Sequence, residues 1–222
     1  MGGKKYTELF TRIYRDNCWG GDGDSKFYSG YGSHEYGCVR RSIDFLNGFI
    51  KDRGIKSVLD FGCGDFNIGS QIDVDMYYGT DVVKELIDYN QEKYGDERHQ
   101  FILNDESYIN FPAVDLIIFK EVLQHLDNEK IKEILDNIIG KMSFKYILVL
   151  DSSLTDDMNE NINVDSNDEI VLMSSRETLN YNLHLDKEPF NYDFTLYTRL
   201  PKRIGEYWNV WLYRKKNDIG EN

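Results

Sequence analysis

Between Ser57 and Leu150 the chain alternates short, nearly apolar runs with longer amphipathic ones, and this alternation constrains the fold more than any other feature. The runs SVLDF (57–61), MYYGTDVV (76–83), QFILN (100–104), VDLIIF (114–119) and YILVL (146–150) read as strands. Between them, residues 84–94 repeat at helical spacing through Leu86, Ile87 and Asn90. Residues 127–142 place Ile131, Ile134, Leu135, Ile138 and Ile139 on one stripe, a period near 3.6, with Asp127 set as the N-cap. Strands that are apolar along their length need cover on both faces. The pattern therefore predicts an α/β fold, a parallel sheet with helices on either side.

The flanks read differently. Residues 152–169 are rich in Asp, Asn and Glu and nearly empty of large apolar groups, which predicts a long exposed loop. FTLYTRL (194–200) and EYWNVWLYR (206–214), separated by PKRIG, predict an antiparallel hairpin on the sheet edge. At the other end, a helix over 7–15 leads into NCWGGDGDSKFYSGYGSHEYG, dense in Gly, Ser and aromatics, before a second helix over 39–52. Residues 1–50 are expected to form a cap or lid, and 51–222 the sheet domain.

Composition narrows the function. A formal charge of −13 disfavours a nucleic-acid partner, because phosphate backbones are held mainly by Lys and Arg. Cys18, Cys38 and Cys63 form no CxxC and lack a nearby His at ligand spacing, so reduced thiols are expected and a zinc site is not. No apolar run reaches membrane-spanning length and MGGKKYTELF has no apolar signal core, so the expected location is the cytoplasm, the host's if the protein is viral.

The stretch LDFGCGDFNIG (59–69) runs an apolar strand into two glycines separated by one residue, a turn that brings backbone close to a bound nucleotide. The third glycine of the dinucleotide fingerprint is missing. Asp60 stands two residues before the first glycine, Asp81 closes the second strand, Asp105 follows the third and Phe119 ends the fourth. Asp81 is placed to accept both hydroxyls of a ribose, or to cap the helix that follows. Asp105 is placed to accept from an adenine amino group, and Phe119 to wall a purine.

Order and spacing resemble the class I S-adenosylmethionine-dependent methyltransferases. LDFGCG, YYGTDVV, FILND and DLIIFKEVLQHL correspond to their successive motifs, over 56–152. The resemblance implies a Rossmann-like sheet of seven strands, the last inserted antiparallel, with S-adenosylmethionine as cofactor and S-adenosylhomocysteine as product. It also implies cofactor contacts from Asp60, Gly62, Cys63, Gly64, Asp81, Val82, Asn104, Asp105, Phe119 and Lys120. FTRIYRDNCWGG, SGYGS and CGDFN further resemble a small family of glycan O-methyltransferases. Its members methylate rhamnose-type sugars of surface polysaccharides and of chlorovirus capsid glycans. The matching positions are Phe10, Ile13, Tyr14, Asn17, Trp19, Gly20, Gly21, Ser29, Gly30, Gly32, Ser33 and 63–67. Two positions depart from the pattern: Asp24-Ser25 is displaced, and His184 stands where an Asp is expected. The acceptor so implied is a sugar or glycan, and association with a glycosyltransferase would fit that setting. The competing expectations are another small molecule, a protein side chain, or a non-catalytic cofactor-binding partner of a glycosyltransferase.

Methyl transfer to an alcohol calls for a general base, and histidine titrates nearest neutrality. His125, in EVLQHL at the rim after strand four, is the first choice for that base, or else it packs at the start of the next helix. His184 is the second candidate, or a sugar contact. His34 falls in the lid and His99 in a loop. Asp151 would orient the imidazole or take the proton itself. Trp19, Tyr28 and Tyr31 form a platform for a sugar face, or pack the lid down. Asp151, Asp156 and Asp157 read as solvated acids, so no metal is expected.

Overall fold

The computed structural model describes residues 3–21, 25–105, 111–153, 161 and 182–216. Its helices are α1 (Gly3–Arg15), α2 (Tyr31–His34), α3 (Tyr36–Arg53), α4 (Lys84–Tyr94) and α5 (Asn128–Lys141). Its strands are β1 (Ser57–Phe61), β2 (Met76–Asp81), β3 (His99–Leu103), β4 (Leu116–Lys120), β5 (Tyr146–Ser153), β6 (Phe194–Arg203) and β7 (Glu206–Arg214). They make one sheet in the order β3-β2-β1-β4-β5-β7-β6. The first five strands are parallel. β7 runs antiparallel between β5 and β6, so the hairpin supplies the sheet edge.

Alternation along the strands divides the core in two. Leu59, Ile117, Phe119, Ile147 and Val149 face a cluster completed by Leu9 and Ile13 of α1 and by Ile131, Ile134 and Leu135 of α5. Val58, Leu116, Ile118, Leu148 and Leu150 face the other side, against Leu46, Phe49 and Ile50 of α3. Each fully buried Leu or Ile contributes about 1.5–3 kcal/mol of transfer free energy, so both faces are strongly covered. Asp127 caps α5 as its sequence predicts, accepting from the Lys130 amide at 2.7 Å.

Three expectations change. α3, placed in the cap by the sequence, is a sheet-covering helix. It starts at a Glu35 carboxylate that accepts from the Cys38 amide and ends at Gly54 in the left-handed region. β5 does not stop at Leu150 but continues to Ser153, pairing Asp151, Ser152 and Ser153 with Asn209, Trp208 and Tyr207. Ser152 and Ser153 are therefore buried rather than part of an exposed loop. The rest of that expected loop, Asn161 excepted, lies outside the described residues, Asp156 and Asp157 included. Among the described residues no helix is long and apolar enough to cross a membrane.

Candidate active site

A cavity of about 310 Å³ opens at the carboxyl rim of the parallel strands, within the size range of small-ligand pockets. Its floor is the turn that leaves β1. Gly62 and Gly64 hold φ of 79° and 56°, a region that favours glycine. A side chain at Gly62 would also press within 2.5 Å of the Val122 side chain. The amides of Gly62 and Cys63 both donate to the Thr80 carbonyl, at 2.8 and 3.0 Å, which ties the turn to β2.

Asp81 ends β2 in this cavity. Its Oδ1 accepts from the Val83 amide at 3.1 Å and its Oδ2 from the Gly64 amide at 3.4 Å. Burial pushes its carboxyl up to about 6, against the pull of those amides. A carboxylate offers about four acceptor positions, so both oxygens keep capacity for a ligand diol. Val82 and Asn104 line the same cavity, as do Gly62, Cys63, Gly64 and Lys120.

Three expected cofactor residues stand elsewhere. Asp60 is buried and accepts from the Tyr77 hydroxyl at 2.7 Å, and burial pushes it up to about 6; it does not line the cavity. Asp105 is exposed, one residue beyond Asn104, which does line it. Phe119 is wholly buried, 4.7 Å ring to ring from Phe61, and Phe61 takes its place at the cavity wall.

His125 lines the cavity from a one-turn 3₁₀ helix, Leu123–His125. Its ring lies 5.5 Å from Trp19 and 6.3 Å from Phe10, so the segment before α2 and the turn after β4 meet there. Tyr31 also lines the cavity. Tyr28 does not: it stacks on His34 at 4.1 Å. The other two base candidates do not line the cavity. Asp151 sits inside the β5–β7 ladder, 1% exposed, and His184 packs edge-on against Trp211 at 5.7 Å.

Residues 29–34 cover the glycine turn. The Ser29 amide donates to Asp65 Oδ2 at 2.9 Å, and the Asp65 amide donates back to Ser29 Oγ at 2.8 Å. His34 Nε2 meets the same Asp65 oxygen at 2.5 Å, Asn67 donates to the Ser33 carbonyl, and Tyr14 bonds Ser29 at 2.9 Å.

Among the cavity residues that the sequence reading does not single out are Glu121 and Lys202. Glu121 accepts from Lys120 at 2.8 Å, from Lys202 at 2.7 Å and from the Ser152 hydroxyl at 2.8 Å. Burial works against its ionised form, but the two ammonium groups prevail and hold its carboxyl well below the usual range. Glu121 lies inside the KEVLQHL motif, which could have flagged it. Lys202 sits in the hairpin connection PKRIG, and nothing local points it toward the rim.

No family model matches the sequence, and no curated protein matches it. Solved structures do. The N-methyltransferase NodS from Bradyrhizobium japonicum WM9, in complex with S-adenosylhomocysteine, superposes over 95% of this chain and 98% of its own, with TM-score 0.57 and 14% identity. The N-terminal domain of EvdMO1 with S-adenosylhomocysteine bound gives TM-score 0.53 at 12% identity, over 94% of this chain and 97% of that one. The same domain in the presence of S-adenosylhomocysteine and D-fucose gives 0.52 at 12%, over 97% and 98%. The fold is that of the class I methyltransferases. In this methyltransferase fold the sheet order reverses between β1 and β4, and the cavity sits at that switch point, where open α/β sheets bind ligands.

Proposed function

We propose that the protein is an S-adenosylmethionine-dependent O-methyltransferase acting on a sugar hydroxyl, a rhamnose-type deoxyhexose of a glycan. One observation carries the reading: a single rim cavity gathers the Gly62–Gly64 turn, Asp81 and Asn104 at one part, and His125 against Trp19 at another. The known structures of this fold with S-adenosylhomocysteine, and the one with D-fucose, support the cofactor and the class of acceptor.

The residues fit the cofactor. Asp81 would hold the ribose diol and Asn104 the adenine edge, with Phe61 and Val122 as apolar walls. The glycine turn leaves the backbone bare for close approach. When bound, S-adenosylmethionine supplies an electrophilic methyl group. The chain supplies the rest. Trp19 offers an aromatic face to the sugar and, with Phe10, holds the His125 ring from one side. His125 takes the hydroxyl proton as the oxygen attacks. Segment 29–34 excludes water over the turn, and positioning of this kind contributes several kcal/mol to a displacement.

The direct test incubates the protein with S-adenosylmethionine and a panel of rhamnosylated acceptors and follows the methyl mass increment. Methylation confined to amines or to protein would replace the sugar reading.

A further inference from the structure

The cavity has a polar corner that Asp81, Asn104 and His125 leave unused, and it includes Lys120, which the family resemblance assigns to the cofactor. Lys120 ends β4 and Glu121 follows it, and Lys202 comes from β6, across two intervening strands. All three line the cavity. Lys202 also donates to Ser152 Oγ at 2.6 Å, so the side of Glu121 facing β5 and β6 is fixed by two donors. Lys120 donates to Glu121 and to the Gly32 carbonyl at 3.1 Å, and has a longer contact to Ser33 Oγ at 3.5 Å.

Stability alone is a weak reason for this arrangement. Buried ion pairs are often replaced by apolar residues at little or no cost. Glu121 moreover adopts φ of 56°, a left-handed conformation that side chains rarely take and that concentrates at ligand sites. Sugar hydroxyls are recognised by carboxylate and ammonium acting together, one accepting and the other donating. Three of the roughly four acceptor positions of Glu121 are occupied by Lys120, Lys202 and Ser152. One remains, and the 3.5 Å contact of Lys120 is the one a hydroxyl oxygen would replace.

We propose that Lys120 and Glu121 form the subsite for a vicinal pair of acceptor hydroxyls, one donating to the Glu121 carboxylate and its neighbour accepting from the Lys120 ammonium. Lys202 and Ser152 are positioning residues that fix the carboxylate from behind. The lysines keep Glu121 ionised, which makes it a poor base, so it orients the acceptor while His125 handles the proton. The inference rests on the sugar-acceptor reading.

The experiment compares wild type and Glu121→Gln on methyl α-rhamnoside and its monodeoxy analogues. In the wild type, deletion of one hydroxyl next to the methylated position should lower kcat/KM about tenfold or more, the weight of a hydrogen bond to a charged group. Glu121→Gln should lose a similar factor on the parent sugar, chiefly through KM, and be indifferent to that deletion. Its affinity for S-adenosylhomocysteine should stay within about twofold of wild type, since cofactor contacts lie elsewhere. Equal losses from the deletion in both proteins, or a fall in cofactor affinity with acceptor KM unchanged, would overturn the subsite. If Glu121→Gln fails to fold, Lys120→Met enters the same comparison. Wild-type protein that methylates no rhamnoside removes the sugar reading itself, and the subsite with it.

Discussion

The two parts of the cavity are built in different ways. The part around Gly62, Gly64, Asp81 and Asn104 comes from three strands adjacent in the sheet and close in sequence, and its geometry is mostly backbone. The part around Trp19, Tyr31, Glu121, His125 and Lys202 draws side chains from both ends of the chain. Its coherence depends on aromatic contacts and one buried ion cluster. Under the proposed function the first would seat the nucleotide, a task many chemistries share. The second would then select what is modified.

The sharpest way to break this division is His125→Ala. Loss of the base should lower kcat by about 10²–10⁴-fold, while calorimetry finds S-adenosylhomocysteine binding unchanged. Wild-type turnover in that variant would remove His125 from the chemistry. Asp81→Ala tests the other part: two charged hydrogen bonds to a ribose diol are worth enough to weaken S-adenosylhomocysteine by roughly 100-fold or more, with circular dichroism unaltered. Unchanged affinity would dissolve the nucleotide assignment.

A pH experiment sharpens the same contrast. Burial sets the free Asp81 carboxyl at about 6, and a diol that donates to it favours the ionised form. Affinity for S-adenosylhomocysteine should therefore rise with pH through about 6, with binding at about pH 5 roughly tenfold weaker than at about pH 7.5. Asp81→Asn should flatten that profile; a profile unaffected by the substitution would assign it to another group such as Asp60. The smallest effect is expected at Tyr6, whose hydroxyl donates to Asp127 Oδ2 at 2.6 Å and fastens α1 beside the His125 turn. Tyr6→Phe should cost about 1.5 kcal/mol in chemical denaturation, with cofactor affinity unaltered and acceptor KM modestly raised.

Much of the scaffold was legible from local pattern. Apolar strand runs, the stripe of α5, the Asp127 cap and the hairpin all express short-range periodicity, and each element is present, with several strand ends shifted by one to three residues. Three expected site residues, Phe119, Asp151 and Asp105, stand off the cavity near strand ends that differ from the sequence reading. β4 runs one residue past Phe119, and alternation puts that ring on the core face with Ile117, while Phe61 lines the cavity. β5 runs three residues past Leu150, because β7 pairs with it as far as Ser153, and Asp151 is carried inside the ladder. β3 ends at Leu103, and the Asn104 amide bonds the Asp81 carbonyl, so Asn104 rather than Asp105 meets the cavity.

By itself, then, the sequence determined the parallel sheet, the glycine turn and the acid that closes β2, since each is written in residue types a few positions apart. Only the tertiary structure decided which side chains reach the rim and that Lys202 meets Glu121 there. Those outcomes depend on where distant strands stop pairing and on which segments fold over them, and no local stretch carries that information.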